Sequence, residues 1–290
     1  MRRACIDIGS NTTRLLVADC TVGALDPLHQ ERAFTNLGWH SPADGVIPPA
    51  KLGEVAAVVA QQAQTARRLG ASDVRVVATA AIRRAANGEE LAERIREASG
   101  LGLQVLTEAE EARLAFVGAA RAFRLMPAGE LGVVDVGGGS SELVVGTVPD
   151  QVRWSVSLPL GSGDLASGYL HSDPPTAAQL SAARQQVTAM IGELEVPRPA
   201  AAAAVGGSAA SLARLAGQRL DAAAFARALG ELAAAPRREV ARRFGLEHER
   251  VRVLPAGLLI LQAAAELFRA PLTVAGGGLR EGVLLEATSG

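Results

Sequence analysis

The chain has 290 residues, a length that suits two domains better than one. Almost half of it is hydrophobic (49%) but only 3% is aromatic, so its cores are built from Leu, Val, Ile and Ala. A formal net charge of -1 gives no overall basic field for nucleic acid or a membrane surface, so any anion binding is local.

In chain order, Ala4–Ile8, Thr13–Cys20 and roughly Leu25–Phe34 read as three strands of a meander. Thr35–Pro49 reads as a loop, and Pro48 and Pro49 suit the first turn of a helix over Ala50–Leu69. Val74–Ala78 is a short buried strand, followed by a helix at Glu89–Ala98, a strand at Leu103–Leu106 and a helix at Glu108–Phe123. Met126–Glu130, with Pro and Gly, looks like a link between halves. The pattern then restarts: strands at Leu131–Val136, Glu142–Thr147 and Val152–Ser157, a helix at Thr176–Leu194, and a strand at Ala202–Val205. Helices follow at Ala209–Ala216, Ala222–Ala234 and Pro255–Phe268, then a strand at Leu272–Ala275 and a final helix. Three strands followed by alternating helix and strand, done twice, imply a duplicated α/β domain with a mixed sheet in each copy. The expected division is 1–126 and 127–290, with the last helix able to pack back on the first domain.

Two segments carry the chemistry. Near the start, Asp7 ends an apolar run and is followed by Gly9, Ser10, Asn11 and Thr12 before a second apolar run. Near the middle, Asp135 is followed by Gly137, Gly138, Gly139, Ser140 and Ser141, then Glu142 and a second apolar run. Such turns let backbone amides converge on a phosphate. An ordinary hairpin turn is the alternative for the first. For the second, three consecutive glycines cost backbone entropy and contribute no packing, which suggests close backbone approach by a ligand. Asp135 and Glu142 bracket the turn and could share one Mg2+, a cation that prefers oxygen ligands. After the strand ending at Ala78, Thr79 can cap a short helix that presents Arg83 and Arg84, either as phosphate forks or as a solvated helix face. Thr107–Arg113 suits an ordinary acidic helix start, or offers one Glu as a general base at the hinge between halves. Gly206-Gly207-Ser208 and Gly276-Gly277-Gly278 each lie between a strand and a helix and could hold a nucleotide or a second phosphate, or be plain connections.

Cys5 and Cys20 match neither a zinc spacing nor a disulfide framework and read as small buried hydrophobes. The four histidines, His29, His40, His171 and His248, are scattered. No run of about eighteen apolar residues marks a membrane span, and MRRACIDIGSN lacks the apolar stretch of a leader peptide, so a cytoplasmic protein is expected.

Six ordered blocks, DIGSNTTRLLV at Asp7, ATAAIRRAAN at Ala78, EEARLAFVG at Glu110, DVGGGSSELVVG at Asp135, SLPLG at Ser157 and GLREGVL at Gly278, resemble the exopolyphosphatase and guanosine pentaphosphate phosphohydrolase (Ppx/GppA) family. The resemblance covers essentially the whole chain. It implies two actin-like (ribonuclease H-like) domains around an interdomain cleft. It also implies removal of a terminal phosphate from inorganic polyphosphate, of short chain, or from pppGpp, with Mg2+ or Mn2+. The implied site comprises Glu111 as catalytic base and Asp135, Glu142 and Asp7 as metal or water-positioning acids. The implied phosphate contacts are Arg83, both glycine turns, and Gly207 with Ser208. The partner is polyphosphate or a phosphorylated guanosine nucleotide, not nucleic acid or membrane, with a homodimer left open. Asp164 after SLPLG stands where relatives carry Arg nearby, and Asn36 stands where many have Arg. A small-molecule kinase of the same superfamily, or a non-catalytic nucleotide or alarmone binder, are the alternatives.

Overall fold

The protein is described here from a computed structural model, over residues 1–22, 24–40, 45–122 and 129–286. β1 (Arg2–Ile8), β2 (Thr12–Thr21) and β3 (Ala24–Phe34) form the antiparallel meander, with β2 between the other two. β4 (Asp73–Ala78) joins β1 in parallel and β5 (Leu103–Val105) joins β4, giving the order β3-β2-β1-β4-β5. The last five residues of β1 are all buried, the mark of a strand covered on both faces. α1 (Pro49–Arg68) covers one face and opens on Pro49, whose missing N–H would be unpaired there in any case. The short α2 (Ala80–Arg83) and α3 (Gly88–Ser99) complete the connection from β4 to β5, and the left-handed Gly100 closes α3.

The second sheet repeats the plan. β6 (Leu131–Val136), β7 (Ser141–Thr147) and β8 (Gln151–Leu158) form the meander, β9 (Ala201–Val205) pairs with β6 in parallel, and β11 (Leu272–Val274) pairs with β9. A two-residue strand, β10 (Arg219–Leu220), adds an antiparallel edge, so the order is β10-β11-β9-β6-β7-β8. The chain thus forms the duplicated α/β architecture with a mixed sheet in each copy.

Two helices of the first and second halves cross over. α4 (Glu108–Ala122) follows the first sheet in sequence, yet Ala112, Phe116 and Ala119 pack with Leu131, Val133, Val144 and Ala203 of the second. α11 (Leu279–Glu286) ends the second half, yet Leu279, Val283 and Leu284 pack with Cys5, Leu16, Ala18, Cys20 and Val77 of the first. The helices touch backbone to backbone: a Cβ on Gly118 would overlap the Gly278 carbonyl, and one on Gly282 the Leu114 carbonyl. The division expected near 126–127 falls outside the described residues.

The remaining helices are α5 (Ser162–Tyr169), α6 (Ala177–Ile191), α7 (Gly206–Ala216), α8 (Ala222–Ala234), α9 (Arg237–Phe244) and α10 (His248–Phe268). The sequence reading gave no helix at α5 or α9, each eight residues long and too short for a periodic signal. It also began α10 at Pro255, because Pro suits a first turn. In the structure the helix starts at His248 and carries Pro255 inside, with Val251, Val253, Leu254 and Leu258 buried around it. The packing of that turn outweighs one lost backbone hydrogen bond. By length and composition α10 could cross a bilayer, but 67% of its most apolar window is buried inside the fold.

Candidate active site

The two glycine turns are built alike. Gly9 donates its amide to the Thr12 carbonyl at 3.0 Å, and Gly137 does the same to Ser140 at 2.9 Å. Behind the first turn, the amides of Thr35 and Asn36 reach the Asn11 carbonyl, and that of Gly38 reaches Ser10. Behind the second, Ser162 reaches Gly137, and Gly163 and Asp164 reach Gly138. In each case the segment after the third meander strand ties off the turn's carbonyls. With these carbonyls tied off, the turns suit an anion-binding nest, in which free backbone amides converge on one point. Asn36 takes φ 47, a left-handed conformation that Asn tolerates better than most residues.

The turns face each other across one cavity of about 220 Å³. Asp7, Gly9, Ser10, Asn11 and Thr12 line it from the first half. Asp135, Gly137, Gly138, Gly139, Ser140, Glu142 and Gly207 line it from the second, and Glu111 from α4. The surplus of glycines has a cause in the fold itself. A Cβ on Gly138 would sit 2.6 Å from Asn11 Cγ, and one on Gly139 would sit 2.5 Å from Ser10 Oγ. Gly163 is bare for the same reason, with Asn11 Oδ1 2.5 Å from where its Cβ would be. The opposite turn comes that close to each of them.

Three expected residues lie elsewhere. Ser141 is buried and donates its hydroxyl to the Leu160 carbonyl at 2.5 Å, fixing the turn from behind. Ser208 is buried against Gly257, away from the cavity wall. Its neighbours Gly206 and Gly207 are not a free turn but the first turn of α7. Gly206, at φ +83, leaves room for the Asp135 carboxylate, and Gly207 leaves room for Arg250. The open amides of that helix end therefore join the cavity wall. Arg83 does not line the cavity. Its Nη1 donates to Glu111 Oε2 at 2.9 Å and to the Leu106 carbonyl at 2.8 Å.

The acids are closely gathered. Burial pushes the Glu111 carboxyl up to about 7 against the opposing Arg83 hydrogen bond. Burial likewise pushes Asp135 up to about 6, against the nearby Arg14. Glu142, buried and facing the charges of Glu111 and Asp135, is raised well above the usual range although Ser157 Oγ donates to it at 2.9 Å. Asp7 is raised by burial and held back by Arg14 and Arg280.

The sequence reading missed the cations. Arg14 lies within the first quoted block, and Arg280 lies in the last, but neither stood out as a site residue. Arg250 sits inside α10 and gave no local signal. All three line the cavity. Arg280 donates to the Leu15 carbonyl at 3.0 Å and to Gln30 at 3.3 Å. Arg250 is nearly fully buried, with Nε unpartnered, and burial with Arg14 nearby lowers its pKa to about 10. A buried guanidinium with an unpartnered N–H is costly unless an anion completes the site.

Among the described residues no three acidic, His or Cys side chains converge as a ready-made metal cage, so Asp7, Asp135 and Glu142 do not form a self-sufficient site. The donors are nonetheless all oxygen. Asp135 and Glu142 are register partners across β6 and β7, and Asp7 Oδ1 is buried with no hydrogen-bond partner. That set suits a Mg2+ ion, which keeps several waters and binds through one or two carboxylates plus substrate phosphates.

A model of the Ppx/GppA phosphatase family matches residues 16–289. Exopolyphosphatase 1 of Mycobacterium leprae (strain TN) is 31% identical over 303 residues, covering 98% of this chain and 89% of the relative. The crystal structure of the Aquifex aeolicus member of the Ppx/GppA family superposes with a TM-score of 0.83 at 31% identity, covering 100% of this chain and 98% of that one. An exopolyphosphatase from Cytophaga hutchinsonii, at 22% identity, shares the fold with a TM-score of 0.89 over 100% of this chain and 98% of its own. Likeness of this extent, over a cavity that five of the six blocks first picked out in the sequence help to line, settles that the chain belongs to the Ppx/GppA phosphatase family and is a hydrolase.

Proposed function

We propose that the protein hydrolyses the terminal phosphoanhydride of short inorganic polyphosphate, with pppGpp as a second substrate of the same chemistry, in the presence of Mg2+ or Mn2+. The observation that carries this is the burial of Glu111 in the same cavity as two opposed amide turns, with its carboxyl pushed up to about 7. A general base works best when its pKa lies near the operating pH. The terminal phosphoryl group rests between the Gly9–Thr12 and Gly137–Ser140 turns, whose amides, with the α7 N-terminus, neutralise its oxygens. Arg14 and Arg250 hold the phosphates behind it. Glu111 accepts the proton of the attacking water, and Arg83 orients Glu111 rather than gripping phosphate. A divalent cation, held through Asp135, Glu142 and Asp7, supplies charge neutralisation at the phosphoryl oxygens when bound.

The test is phosphate release from triphosphate, longer polyphosphate, pppGpp and ATP, each with Mg2+ and with a chelator. Release from polyphosphate that chelator abolishes is the expected result. Glu111→Gln should lose about 10²–10⁴ in kcat while still binding substrate. Full activity in that variant removes Glu111 as the base, and no release from any of the four substrates ends the proposal.

A further inference from the structure

The arginines around the cleft differ in their partners. Arg84 of the first half donates to the Gly139 carbonyl at 2.5 Å and lies 4.0 Å from Asp164 of α5, so this arginine is already occupied. Arg14, which lines the cavity, and Arg32 are register partners on β2 and β3, pointing from the same face of the sheet. Like charges placed directly opposite are destabilising, so the pair needs a counter-ion. Arg250 approaches from α10, and Glu247 is the acid that both Arg32 and Arg250 meet, whereas Arg14 faces Asp7 and Asp135. Its carboxylate pairs with Arg32 across 215 positions of sequence. Glu247 is the N-cap of α10 but makes no side-chain cap. The local role of that position is given up for the long-range contact. Both partners stay accessible, with side chains 33% and 50% exposed, whereas Arg250 one turn further on is buried in the cavity wall.

Resting on the polyphosphate reading above, we propose that Glu247 is a chain-length determinant. A phosphate chain whose tip lies between the glycine turns leaves the cleft past Arg14 and Arg250. The next phosphate beyond them meets a carboxylate that has already neutralised Arg32. Short chains end before Glu247, and long chains run past it and are repelled.

Two substitutions separate this from a clasp that merely ties the halves together. With Glu247→Gln, Arg32 is released to bind phosphate, and kcat/KM for long polyphosphate relative to triphosphate should rise about three- to tenfold. With Arg32→Gln, Glu247 is left unneutralised and the same ratio should fall. Both effects should shrink as salt is raised from 50 to 500 mM (about 14 to 4 Å of screening length). A simple clasp is broken equally by either change, so ratios moving in the same direction, or not at all, overturn the assignment of Glu247. A wild-type protein that hydrolyses pppGpp but neither polyphosphate overturns the polyphosphate reading instead, and with it any role for Glu247 in chain length.

Discussion

Glu111 and Arg83 are joined at 2.9 Å, and on the proposed mechanism the pair sets the pH at which the site works. Burial raises the Glu111 carboxyl and Arg83 lowers it, with burial the larger effect. Because a base must be ionised, kcat/KM should climb as pH rises through about 7. Replacing Arg83 by Gln removes the opposing cation, so the acid limb should move upward by about one pH unit or more. Arg83→Lys should keep the limb near its original place at reduced kcat, since it retains the charge but not the fork. A pH–rate profile of the three proteins checks this. An unmoved limb with a raised KM in Arg83→Gln would return Arg83 to the phosphate contacts that the sequence resemblance implied.

At the scale of elements, the critical contacts are those that glycine allows. Gly118 of α4 and Gly282 of α11 let the crossing helices meet at their backbones. Alanine at either position should destabilise the fold by about 1–3 kcal/mol, read from the denaturation midpoint, because neither helix can move without disturbing the sheet it covers. Gly138→Ala is expected to behave differently. Its Cβ would press on the end of the Asn11 side chain, which can turn away. Stability should then change little while kcat/KM falls, as the two turns part and their amides no longer converge. Activity and denaturation measured on the same preparations separate these outcomes. Only the second class of glycine was singled out in the sequence, and for another reason. A run of three glycines is visible locally, but the residues that Gly138 and Gly139 accommodate, Asn11 and Ser10, lie more than a hundred positions away.

For the whole molecule, four raised carboxyls in one cavity make stability depend on pH. Asp7, Glu111, Asp135 and Glu142 hold protons in the folded state at pH values where the unfolded chain has lost them. Between about 4.5 and 7 the native state therefore binds more protons, and stability should fall as pH rises. For Glu111 alone, ionised in the folded protein, the cost is roughly 3 kcal/mol. Melting curves from pH 5 to 8 without divalent cation should show the decline. Mg2+ together with phosphate should reverse much of it at pH 7.5, since both neutralise the buried charges and bind only the folded state. A melting temperature that rises steadily over this range would contradict the shared burial of these acids.

Local chemistry was enough for the duplicated strand and helix plan and the two glycine turns, because alternation and proline and glycine placement act over a few residues, whereas Glu111 was picked out only by the resemblance to a family. The tertiary structure alone decided that α4 covers the second sheet and α11 the first, that Arg83 turns to Glu111, and that Arg14, Arg250 and Arg280 share one cavity. Short polar helices such as α9, and an arginine inside an apolar helix, carry no period that marks their role. Their partners are chosen by burial and charge across long stretches of chain, and those forces act only once the two halves have come together.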